Sequence, residues 1–155
     1  MDIVNYSILA AALAPVGLVC RGGYVPDEAD GVPGLPNGNV SKFVVLTGNV
    51  GPAMWLAFSD SPEYRNQKPN PLDRWSRRVL DSIASKMSDE AGKGLQCQAV
   101  FPFEGPPYLP FQQWAQKAEP VYPSPTGPLI HPEYGLWHAY RGALLFSSEL
   151  AIPQM

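Results

Sequence analysis

Charge is scarce in this chain. Only 16% of its 155 residues are Asp, Glu, Lys or Arg, against about a quarter in an average globular protein. The net charge of −3 supplies no basic field, so nothing in the composition favours nucleic acid as a partner. Cysteine is scarcer still. Cys20 and Cys97 are too few for a disulfide framework, and neither has a Cys or His at metal-ligand spacing, so both read as reduced, small apolar residues and no metal site is expected. No apolar run is long enough to span a bilayer. Residues 7–20 are small and apolar like the core of a secretory leader, yet Asp2 stands where basic residues belong and Pro15 interrupts the run. A cytoplasmic protein that avoids membranes is the expectation. At 45% apolar residues, the chain can bury a core without staples, and residues 1–155 read as a single domain.

Catalytic signatures are missing as well. The chain has no Gly-x-Ser-x-Gly elbow, no Gly-x-x-x-x-Gly-Lys loop and no Gly-x-Gly-x-x-Gly fingerprint. Glu104 and Glu133 both stand in proline-rich loops, and no spacing implies that they converge. No catalytic residue can be named.

What is present is a sequence of helices and short strands. Ile3, Tyr6, Leu9 and Leu13 recur at near-helical spacing, and Pro15 with Gly17 ends the pattern. Residues 17–24 read as a short strand, 26–39 as a long surface loop, and 42–47 as a buried strand. Residues 48–52 then read as a turn into a short helix carrying Met54, Trp55, Leu56 and Phe58; its glycines offer weak anion-binding potential at most. The clearest helix opens at Asn70, a suitable N-cap, followed by Pro71 and by Asp73 at the positive dipole end. Leu72, Trp75, Val79, Ile83 and Met87 form its apolar stripe, which leaves Arg74, Arg77 and Arg78 on a solvated face or against an anion. A strand over 97–101 and a helix over 110–118 follow. The order α-β-α-β-α-β predicts an α+β sandwich with helices covering a small sheet.

Residues 102–132 hold nine of the eighteen prolines, interleaved with Phe103, Tyr108 and Tyr122. Aromatics are scarce in disordered segments, so these loops read as the rigid walls of a cleft for a bulky, flat ligand or small-molecule substrate. The cleft should lead into residues 129–146, which contain both histidines. His131-Pro132-Glu133-Tyr134-Gly135 reads as a rigid turn, and residues 137–146 as a strand. Alternation places Trp137, Ala139, Arg141, Ala143 and Leu145 on one face, and His138, Tyr140, Gly142, Leu144 and Phe146 on the other. Arg141 is the anomaly. An arginine between small apolar residues must meet something polar: a ligand, a backbone group, or a carboxylate such as Glu133 or Asp81. His131 and His138, seven residues apart, match no familiar metal spacing.

Residues 127–142, Gly-Pro-Leu-Ile-His-Pro-Glu-Tyr-Gly-Leu-Trp-His-Ala-Tyr-Arg-Gly, resemble a signature of two cobalamin-using groups. These are the bacterial epoxyqueuosine reductases and the cobalamin-processing decyanases of animals. In both, an Ile/Leu-His-Pro-x-Tyr/Phe-Gly-x-Trp-x-Ala-x-Arg run leads into a sheet strand near the cofactor cavity. Residues 71–78 and 101–111 are similar to a bacterial ferredoxin-like (4Fe-4S) branch of the same superfamily. The resemblance implies a nitroreductase-like fold, a layer of helices on a small, largely antiparallel sheet. It implies cobalamin as the cofactor, with His131, Tyr134, Trp137, Tyr140 and Arg141 as wall and polar contacts; Arg141 would orient a carboxamide, a phosphate or a substrate anion. It also implies an oxidoreductase that draws electrons from iron–sulfur clusters or a donor partner. Cys20 and Cys97 cannot ligate a cluster, so a 4Fe-4S module is expected only if the native chain continues beyond Met155. Two alternatives accompany this reading. One is a flavin-dependent nitroreductase-like enzyme; the other is a non-catalytic structural or docking domain that has lost its cofactor.

Overall fold

A computed structural model describes residues 3–36, 38–50, 52–90, 96–105, 108–124, 129–132 and 138–148. Helix α1 (Ile3–Leu13) runs into a 3-10 turn that includes Pro15 and closes at Gly17. Strand β1 (Val19–Tyr24) and strand β2 (Phe43–Val50) are joined by the proline-rich loop. Two short helices, α2 (Ala53–Ser59) and α3 (Pro62–Arg65), precede the long α4 (Pro71–Glu90). Strand β3 (Cys97–Val100), helix α5 (Phe111–Ala118), the two-residue strands β4 (Tyr122–Pro123) and β5 (Leu129–Ile130), and strand β6 (His138–Phe146) complete the order.

Four strands form one antiparallel sheet in the order β1-β2-β6-β3, while β4 and β5 pair separately. The architecture is α+β, with a small antiparallel sheet covered on both faces. Alternation along the two central strands explains why. Phe43, Val45, Leu144 and Phe146 pack against Leu9, Trp75, Leu80 and Met87 of α1 and α4. Val44, Leu46, Ala143 and Leu145 pack on the opposite side against Phe111, Trp114 and Ala115 of α5, together with Leu35 and Leu129. Strands buried on both faces read as continuous apolar runs, as Phe-Val-Val-Leu does here.

The stripe on α4 is buried at Trp75, Val79, Ile83 and Met87, with Leu72 packed at its margin. The three arginines beside it stand partly in solvent and also act as fasteners. Arg74 donates from Nε to the Pro69 carbonyl at 2.8 Å and from Nη2 to the Lys68 carbonyl at 2.9 Å. Arg78 grips Glu63 of α3 through two hydrogen bonds of 2.7 and 3.0 Å. Arg77 pairs with Glu104 at 3.1 Å and covers the stacked rings of Phe101 and Phe103. Asn70 enters α4 at φ 54°, outside the extended backbone usual for an N-cap, and offers its carbonyl to the Arg74 amide. No turn forms at residues 48–50; β2 continues through them to Val50. The loop over 26–39 lies partly inside the structure, since Leu35 and Asp30 are buried and the Trp114 indole donates to the Asp30 carbonyl at 2.7 Å.

Among the described residues, no helix is long and apolar enough to cross a membrane.

Candidate functional site

Two irregularities in the sheet build the site. Between Cys20 and Gly23, β1 spends one residue more than β2, bulging at Arg21 and Gly22. Between Tyr140 and Gly142, β6 spends one residue more than β2, bulging at Arg141. Glycine is needed opposite that second bulge: a Cβ at Gly48 would overlap the Ala139 carbonyl oxygen. The bulge also reverses the side-chain alternation expected along β6. His138 and Tyr140 are turned to the α5 side, while Gly142, Leu144 and Phe146 face α4. Arg141, expected to share a face with Ala143 and Leu145, is redirected away from them, to where Asp73 of α4 faces it electrostatically.

On the α5 side the first bulge delivers Arg21, only 3% exposed. A guanidinium so deeply buried is costly unless it is paired and hydrogen-bonded. Its Nη2 lies 2.7 Å from Glu119 Oε1, and its Nη1 donates to the Asn49 carbonyl at 3.4 Å. The Tyr140 ring lies beneath the guanidinium, 4.5 Å from ring centroid to Cζ, and its hydroxyl donates to Glu119 Oε1 at 2.6 Å. His131 Nε2 stands 3.6 Å from Glu119 Oε2. Glu119 thus gathers groups from β1, β6 and the residue after β5.

His138 completes the cluster, and its tautomer follows from its neighbours. Arg21 Nη2 is 3.0 Å from His138 Nδ1. Arginine can only donate, so Nδ1 accepts and carries no proton. The other nitrogen, Nε2, lies 2.9 Å from the Leu129 carbonyl, which can only accept, so the ring proton sits on Nε2. Burial first, and Arg21 next, hold His138 below the ordinary histidine value, against the bond to Leu129 and the charge of Glu119.

The site residues expected from sequence therefore part company. His131 and Tyr140 meet through Glu119. Arg141 lies apart from them; its Nε donates to Asn49 Oδ1 at 3.0 Å, and its terminal nitrogens meet no acceptor among the described residues. Asp81 is not its partner. Tyr134 and Trp137, like Glu133, lie outside the described residues. Arg21, Glu119 and Asn49 carry the cluster, yet sequence reasoning passes over all three. One signal was available: Arg21 interrupts a predicted strand much as Arg141 does.

Of the aromatics expected to wall a cleft, Phe101 is buried and Phe103 partly buried in the core beside α4, while Tyr108 and Tyr122 are exposed. Residues 106–107, 125–128 and 133–137 of that stretch, Tyr134 among them, lie outside the described residues. A groove of about 430 Å³ lies beside α1 and β1, lined by Tyr6, Ala10, Gly17, Cys20, Val50 and Ala53. Burial pushes the Cys20 thiol there up to about 11 despite a hydrogen bond from Tyr6, so it is no thiolate nucleophile at neutral pH. Burial and the bond to Glu119 likewise push the Tyr140 phenol up. Among the described residues, no three of His, Cys, Asp and Glu are grouped to hold a metal ion.

The arrangement supplies one protonated phenol, one neutral imidazole and one partly covered guanidinium with donors to spare. It can bind and orient; among the described residues of the cluster there is no activated nucleophile. No protein-family model matches this chain, and no curated protein matches it either.

Proposed function

We propose that this chain is the cofactor-cradling domain of a reductase, with a corrinoid as the cofactor, as in the cobalamin-using groups that residues 127–142 resemble. One observation carries the reading: Arg141 is partly desolvated by burial and held at Nε by Asn49, and its terminal nitrogens meet no acceptor among the described residues. A guanidinium in that state is a ready partner for a carbonyl or an oxyanion. The donor set suits a corrinoid, whose rim carries neutral carboxamides. It suits flavin mononucleotide less well, because that phosphate calls for several cations and Arg21 is already committed to Glu119.

When bound, a corrinoid would supply the redox-active metal, with electrons from iron–sulfur clusters or a donor partner. The chain's own residues would do the holding. Arg141 would orient a rim carboxamide or a substrate anion, and Asn49 would keep the guanidinium plane fixed. Tyr140 and His131 lie apart from Arg141 with their polar atoms turned towards Glu119, so they are not assigned a contact with the cofactor.

Titration with cob(II)alamin, followed by visible absorption, tests the proposal. A saturable spectral change that weakens at least tenfold in Arg141→Ala is expected. An unchanged spectrum at high protein concentration would refute it.

A second reading has its own support. Arg21, Glu119, His138 and Tyr140 satisfy one another, as they would in a docking or structural domain without a cofactor. The same titration separates the two, since a docking domain leaves the cob(II)alamin spectrum unchanged.

A further inference from the structure

We infer that the contact between Arg21 and His138 is a proton-operated latch: it clips Leu129, Ile130 and His131 to the sheet when the ring is neutral, and loosens them when the ring is protonated. The inference stands apart from any cofactor, because it uses only donors and acceptors within the chain.

The geometry is restrictive. His138 bridges two elements, accepting from Arg21 of β1 at Nδ1 and donating to the Leu129 carbonyl of β5 at Nε2. A neutral imidazole with its proton on Nε2 satisfies both. An imidazolium cannot, because both nitrogens then donate and Arg21 has no acceptor to offer. Flipping the ring does not help, since either nitrogen would present a proton to the guanidinium. Protonation also sets two cations 3.0 Å apart. The contact that opens is the one to Arg21, because the charged ring still donates from Nε2 to Leu129; the ring then backs away from the guanidinium and pushes Leu129 outward with it.

Arg21 is the less mobile partner. It is buried, paired with Glu119 and bonded to the Asn49 carbonyl. The β4–β5 pair is the weaker side, with two residues in each strand and both Tyr122 and Pro123 exposed. Besides the His138 clip, contacts that hold this segment include its pairing with β4, the buried Leu129 side chain and His131 beside Glu119. Among the described residues, the charged and titratable groups around the ring are Arg21 of β1, Tyr140 of β6, Glu119 after α5 and His131 after β5. Tyr6 of α1 feels the charge of Glu119 from behind. Burial first, then Arg21 and His131, oppose a proton on His138, while the bond to Leu129 and the charge of Glu119 favour it. Loosening therefore belongs below the ordinary histidine midpoint of about 6.5.

The test uses the full chain labelled with ¹⁵N. Imidazole nitrogen shifts followed against pH give the tautomer and midpoint of His138, and amide exchange gives protection factors for Ile130 and His131. At neutral pH, Nδ1 should read as the unprotonated nitrogen. As His138 takes up its proton, protection at Ile130 and His131 should fall at least tenfold, with the same midpoint, while the core amide of Leu144 keeps its protection. His138→Gln imitates the neutral ring, since its amide can donate to Leu129 and accept from Arg21 without charge; it should hold protection across the whole range. A proton on Nδ1 at neutral pH would overturn the latch. So would constant protection through the His138 titration, or an equal loss in His138→Gln. Should that variant not fold, coincidence of the two wild-type midpoints decides the matter, and separate midpoints refute the proposal.

Discussion

Arg21 and Glu119 form a buried ion pair at 2.7 Å between the first strand of the sheet and the residue that ends helix α5. Removing one member leaves the other charged in a dry setting. Glu119→Leu or Arg21→Met alone should therefore cost about 3 kcal/mol, far more than breaking an exposed pair would. The apolar double replacement Arg21→Met with Glu119→Leu should recover most of that loss. Denaturant unfolding of the wild type, both single variants and the double variant measures the coupling. Equal losses in the single and double variants would show that the pair is not what matters.

Gly22 sits at φ 91°, where a Cβ would also overlap the Ala118 carbonyl oxygen at the end of α5. Gly22→Ala therefore combines backbone strain with a clash against main chain, and about 2 kcal/mol of stability should be lost. A shift in denaturation midpoint without a change in slope is the expected signature.

Glu63 is buried, and hydrogen bonds from Arg78 hold its carboxyl below the usual range, outweighing the opposing effect of burial. The folded chain thus releases this proton more readily than the unfolded chain does. Its contribution is complete above the unfolded value of about 4.3 and fades as pH falls through the lower folded value. Arg78 is half exposed, which screens the pair, so Glu63→Gln should cost only about 1 kcal/mol at pH 7. The difference from wild type should shrink at pH 3. Unfolding curves at both pH values read this directly.

Arg141 has no carboxylate bonded to it among the described residues, only the Asn49 amide. Arg141→Ala should accordingly cost less than about 1 kcal/mol, a shift of roughly 3 °C or less in melting temperature. A large drop would mean that the side chain serves the fold and would remove it from the ligand site.

The helices and the two-sided core are legible in the sequence because each rests on many residues. The α4 stripe repeats five times, and Phe-Val-Val-Leu admits little besides a buried strand. The site is less legible because it depends on single insertions. Strict alternation along β6 fails at one residue, Arg141, and that failure moves His138 and Tyr140 to the other side of the sheet. The only local trace is Gly48 on the partner strand, which by itself reads as a turn. Arg21 is hidden by the same device, and Glu119 reads as an ordinary charge after a helix. Strands β4 and β5, two residues each, the first ending in Pro123, are too short to show any period. Their pairing becomes visible only once the sheet is assembled.

The last strand bears on how the chain comes to fold. Strand β6 is the partner of both β2 and β3, so neither gains that neighbour until β6 has been made. The paired segments of β2 and β6 are separated by roughly a hundred residues, a long closure of the kind that slows folding. At ribosomal speeds of roughly 5–20 residues per second, β2 would wait several seconds with its run of apolar residues uncovered. During that interval the chain is most vulnerable to aggregation. Its residues 43–46 are the stretch that a chaperone would be expected to hold first.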